Sequence, residues 1–140
     1  MTLEDGLGAV VSKNEEVYKD TLDAGLLTSV KHSDGKSWWT LVSDHFSNRI
    51  YKILLSEDGF ELTSFQDVDA DELTPQGNGG GQAVFSPDGT KYARYSAADE
   101  LRLFDFDRTT GELSTFQLIE IPPDTIGNPP LGIGLSLIHI

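Results

Sequence analysis

The sequence predicts an all-β chain, a fragment of a β-propeller with about two complete four-stranded antiparallel blades and partial flanking blades. Three observations lead there. Glu61-Leu62-Thr63-Ser64-Phe65-Gln66 recurs as Glu112-Leu113-Ser114-Thr115-Phe116-Gln117, an offset of 51. Ser33-Asp34-Gly35-Lys36 is answered by Pro87-Asp88-Gly89-Thr90, an offset of 54. No segment holds the helical apolar period of about 3.6 residues over two turns. A sandwich also accommodates eight short strands, but it does not require two copies of one unit of roughly 50 residues.

Taken in order, residues 1–25 read as a partial preceding blade and a linker, with Gly6 to Val11 as its strand. The first blade spans residues 26–66. Its opening strand runs from Leu27 to His32 and ends at Asp34-Gly35, a favoured hairpin dipeptide. Ser37 to Ser43, rich in Trp and Val, is the second strand, and Arg49 to Leu55 the third. Glu57-Asp58-Gly59 turns the chain into Phe60 to Phe65. Residues 67–81 form an inter-blade loop that is long for a connection in a compact domain. The second blade, 82–118, repeats the plan: Gln82 to Ser86, the turn Pro87-Asp88-Gly89, Lys91 to Ser96, Leu101 to Phe106, and Glu112 to Leu118. Residues 119–134, with two Pro-Pro pairs, lead toward a third blade. Leu135 to Ile140 breaks the pattern, resembles translated adapter sequence and is read as a non-native tail.

Composition narrows the function classes. Ten Lys and Arg against 23 Asp and Glu give a net charge of −13, so the chain repels phosphate and nucleic acid is not an expected partner. There is no cysteine, hence no disulfide and no thiolate metal site. No apolar run reaches the roughly 18 to 20 residues of a membrane span. Met1 to Asp5 lacks the basic and then apolar order of a signal peptide.

Tight turns join first to second and third to fourth strands, which leaves the second-to-third loops and the inter-blade linkers together on the opposite face. Loops on a rigid scaffold carry binding residues. Asp44, His45, Asn48 and Asp99 therefore form the candidate binding face. Asp67, Asp69 and Asp71 are the candidate metal ligands, since alternating carboxylates offer the hard oxygens that Ca2+ takes. As an EF-hand loop the stretch fails, with Glu72 at the position that needs glycine and Asn78 at the one that needs glutamate. A solvated acidic linker is the competing reading, and no other cofactor is expected. His45 neighbours Asp44, Ser43 and Ser47, but sequence neighbours rarely meet the geometry of a hydrolytic triad, and no Gly-x-Ser-x-Gly elbow is present. No catalytic residue is assigned. Trp38 and Trp39 point to opposite faces of a strand, each filling a gap between neighbouring blades.

The stretch from Ser29 to Trp39 resembles a motif of large secreted propeller proteins of Bacteroidota, many of which end in a type IX secretion, gliding-motility-associated sorting domain. Ser47 to Lys52, Gly80 to Gly89 and Phe104 to Gly111 are similar to that family's third strand, next blade opening and last turn. The family often has cysteine where Thr109 stands, so no role is carried over to that side chain. The resemblance implies a WD40-like blade architecture and a secreted or cell-surface location. It implies no reaction.

The expected function is a non-enzymatic propeller segment whose inter-blade loops bind protein or glycan. Part of a lactonase-like propeller hydrolase and a calcium-stabilised structural module are the alternatives. Two blades do not close a ring, because propellers need at least four, or roughly 200 residues. The remaining blades of a parent protein are thus expected partners.

Overall fold

A computed structural model describes residues 13–14, 16–68, 81–96 and 100–119. Among these residues there are eight strands and no helix: β1 (Leu22–Lys31), β2 (Trp38–Asp44), β3 (Arg49–Ser56), β4 (Gly59–Asp67), β5 (Gly81–Phe85), β6 (Lys91–Ser96), β7 (Glu100–Asp107) and β8 (Glu112–Ile119). They form two antiparallel four-stranded sheets, ordered β1-β2-β3-β4 and β5-β6-β7-β8. The all-β expectation and the two-unit division hold. The candidate metal ligands Asp69 and Asp71, the face residue Asp99, the expected strand from Gly6 to Val11 and residues 120–140 lie outside the described residues.

The two units share their local chemistry. After β1, the Asp34 carboxylate accepts the N–H groups of Lys36 and Ser37 at 2.7 and 2.9 Å, and Gly35 supplies φ +73. After β5, Asp88 accepts the N–H of Thr90 at 3.0 Å and Gly89 again sits at φ +73. Such left-handed positions cost a side chain strain that glycine avoids. β1 begins five residues earlier than the apolar run suggests, at Leu22 instead of Leu27. Gly25, at φ +81, lies where the β1–β2 register shifts, and this irregularity breaks the alternation that marks a strand in sequence.

The sheets pack face to face. Val30, Trp39, Leu41 and Ile50 of the first meet Ala83, Tyr92, Phe104, Phe106 and Leu113 of the second in one apolar core. β1 and β5, the opening strands, run beside each other, so close that a Cβ on Gly25 would stand 2.2 Å from the Gly81 carbonyl oxygen. At the hairpin end, Trp39 Nε1–H donates to the Arg108 carbonyl at 3.0 Å, and His32 Nε2 lies 3.2 Å from the Thr109 carbonyl. His32 Nδ1 accepts the Asp34 N–H, so the geometry fits a neutral ring with its proton on Nε2. Between the outer strands, the Gln66 amide grips the Leu113 backbone both ways, donating to its carbonyl at 2.7 Å and accepting its N–H at 3.0 Å. The buried Lys52 ammonium reaches Glu112 at 2.6 Å. Ser43, buried, accepts from Arg94 Nη1 at 3.3 Å.

Candidate functional site

Three of the four candidate face residues sit together on the loop between β2 and β3. Asp44 ends β2 and accepts the Ser47 hydroxyl, whose oxygen in turn accepts the Arg49 N–H at 3.2 Å. This small ring of bonds is a local turn device of Ser and Asp, and it closes the loop. Asn48 gives its carbonyl to the Val68 N–H at 3.0 Å, tying the loop to the end of β4. His45 is held from the other side. Its N–H donates to the Thr21 carbonyl at 2.9 Å, and its Nδ1 lies 2.6 Å from Asp23 Oδ1.

Asp23, and not Asp44, is therefore the carboxylate that orients the imidazole. Since a carboxylate only accepts, the proton of this contact sits on Nδ1. Neither neighbouring serine serves this histidine: Ser47 is spent on Asp44 and Ser43 is buried against Arg94. Among the described residues, the hydrogen bonds of His45, Ser43 and Ser47 do not link into a Ser-His-Asp relay.

Pinned at both ends, the loop displays Phe46, which is 67% exposed and lies edge-on to the His45 ring at 4.5 Å. Sequence reasoning passed over Phe46 because nothing local to the loop says whether its ring turns outward or packs inward. Asp23 carried no signal either, standing 22 positions from its partner. Below the loop, Asp20 accepts the hydroxyls of Tyr18 and Tyr51 at 2.9 and 3.1 Å. The Thr21 N–H, followed by these two hydroxyls, holds the Asp20 carboxyl below the usual range.

Of the candidate metal ligands, only Asp67 is described. Arg49 forks onto both its oxygens, Nε to Oδ1 at 2.7 Å and Nη2 to Oδ2 at 3.0 Å. The same guanidinium lies 3.9 Å over the Phe65 ring. Arg49 thereby holds the Asp67 carboxyl below its ordinary value. A bidentate Arg–carboxylate pair is a directional contact, and it takes one acceptor site on each Asp67 oxygen. Among the described residues, no three His, Asp or Glu side chains converge as a metal site. No described helix is long and apolar enough to cross a membrane.

Comparison with family models, curated proteins and solved structures finds no match to this chain. The functional reading consequently rests on the geometry above.

Proposed function

We propose that the two sheets are consecutive blades of a β-propeller in a secreted or cell-surface protein, and that the chain is a non-enzymatic scaffold binding protein or glycan through its loop face. The meander order within each sheet, the face-to-face packing and the adjacency of the two opening strands support the blade reading. The resemblance to secreted Bacteroidota propellers supports the location.

The observation that carries the binding role is Phe46, a largely exposed aromatic on a loop fixed by His45–Asp23 and Asp44–Ser47. A rigid loop offers its aromatic without a large ordering cost on binding, and such residues are where binding energy concentrates. The full chain screened on glycan and peptide arrays should retain a ligand, and Phe46→Ala should weaken it by at least about tenfold. Retention of full affinity by both Phe46→Ala and His45→Ala would move the site elsewhere. A chain that binds nothing on either array would remove the binding reading. Turnover of simple lactones by wild type, abolished by His45→Ala, would favour the hydrolase.

A further inference from the structure

We infer that a halide-sized anion binds between the two sheets, held by the side chains of Arg94, Tyr92 and Ser43. The site is separate from the loop that carries Phe46, and it stands whether or not the sheets are propeller blades.

Strand alternation brings these groups together. On β6, Tyr92 and Arg94 are two residues apart and share the face turned toward the first sheet. Across β6 and β7, Tyr92 stands opposite Phe104, and Arg94 opposite Arg102. On β2, Trp39, Leu41 and Ser43 alternate onto the side that faces them. Trp39, Leu41, Tyr92 and Phe104 belong to the apolar core. One step further along the strands the layer turns polar. Arg94 and Arg102 are 5% and 1% exposed there, and Ser43 is fully buried.

In this layer donors outnumber acceptors. Arg94 Nη1–H donates to Ser43 Oγ at 3.3 Å, and among the described residues Arg94 makes no ion pair. A guanidinium offers five N–H groups and accepts nothing, while Ser43, having accepted, still has its own proton to give. The Tyr92 hydroxyl lies beside both Ser43 and Arg94, yet among the described residues it finds no hydrogen-bond partner. Burial pushes this phenol above its ordinary range, so it keeps its proton and is a donor. Folded interiors seldom leave such a group unpaired, and a bound water or ion is a common resolution. A water would satisfy the hydroxyl and leave the charge. An anion answers both, because it accepts from all three side chains and offsets two like charges set side by side out of solvent. The small remaining exposure of Arg94 marks a narrow route from solvent, which suits a single-atom ion and turns away a bulky one.

Thermal unfolding of the full chain near neutral pH, with sodium chloride exchanged for sodium gluconate at constant ionic strength, tests the inference. Constant ionic strength keeps general screening of the −13 charge out of the comparison. Raising chloride from about 1 to about 200 mM should lift the melting midpoint by about 5 °C, and bromide should act alike. Broadening of the chloride NMR line by the folded protein reads the same binding without heating. Arg94→Met keeps the length of the side chain and removes its charge, a mild exchange for a buried ion, and should abolish both responses. Tyr92→Phe keeps the ring and loses the hydroxyl, so the affinity for chloride should fall about fivefold. This second variant reads the site even where Arg94→Met does not fold. Equal midpoints in chloride and gluconate, or a chloride line that the protein leaves unbroadened, would overturn the inference and give the site to water or to a carboxylate of the chain itself. A chloride response kept in full by Arg94→Met or by Tyr92→Phe would place the anion elsewhere and overturn it as well.

Discussion

Trp38 and Trp39 are adjacent in sequence and opposite in fate. Trp39, 5% exposed, fills the space between the sheets and spends its N–H on Arg108, while Trp38 lies on the outer face. Both outcomes follow from strand alternation, which the sequence carries; which face meets a neighbour is decided by the packing. Glycines divide in the same manner. Gly25 and Gly35 share a left-handed backbone, yet a Cβ at Gly35 meets nothing within 4 Å and one at Gly25 collides with the Gly81 carbonyl. Gly35→Ala should therefore cost about 1–2 kcal/mol from backbone strain alone. Gly25→Ala should cost about 2–5 kcal/mol, because β1 and β5 must also separate. Urea denaturation of the two variants measures the difference. Equal costs would mean that β1 and β5 do not run so close.

At the scale of elements, the hairpins are organised by carboxylates. Asp34 is held far below the ordinary range by the Lys36 and Ser37 N–H groups, Asp88 below it by the Ser86 hydroxyl and the Thr90 N–H. Asp107 plays this part in the β7–β8 turn through the Thr109 N–H. A depressed carboxylate pKa stabilises the fold above the unfolded value, near 3.9, and that contribution is lost as pH falls toward the folded value. The melting midpoint should be flat from about pH 8 to 5 and fall below about pH 4. Relief of the −13 charge acts in the opposite direction over the same range, so the variant comparison is the sharper reading. The double change Asp34→Asn and Asp88→Asn should make the fall shallower. An acid limb identical to that of wild type would exclude these turns as its source. These turns were legible in the sequence, because Asp-Gly between apolar runs has a local mechanism. The first half of β1 was not, since Gly25 interrupts its pattern, and Arg94 opposite Arg102, both buried, defies any hydropathy reading.

For the whole molecule, the sheets are joined by polar contacts around the apolar core. Lys52, 1% exposed, depends on Glu112 of the other sheet, which is itself half in solvent. Removing one partner of such a pair is harmful, whereas replacing the buried charge by an apolar side chain of similar length is mild. Glu112→Ala should cost about 1–3 kcal/mol, discounted for the exposure of the carboxylate. Lys52→Met should stay within about 1 kcal/mol of wild type. Chemical denaturation separates them, and the reverse order would show that Lys52 is held by something other than Glu112.

By itself the sequence determined what depends on neighbours along the chain: the strand content, the Asp-Gly turns, the doubling of a four-stranded unit and the loop that holds Asp44, His45 and Asn48 together. Each follows from side-chain periodicity or from a turn residue acting on its own backbone. Tertiary structure alone decided that Asp23 orients His45, that Asp67 is given to Arg49, that Phe46 is presented outward and that Trp38 stays uncovered. Those outcomes depend on which strands come side by side and on what a neighbouring sheet covers. No local pattern encodes a contact between residues brought together only by folding.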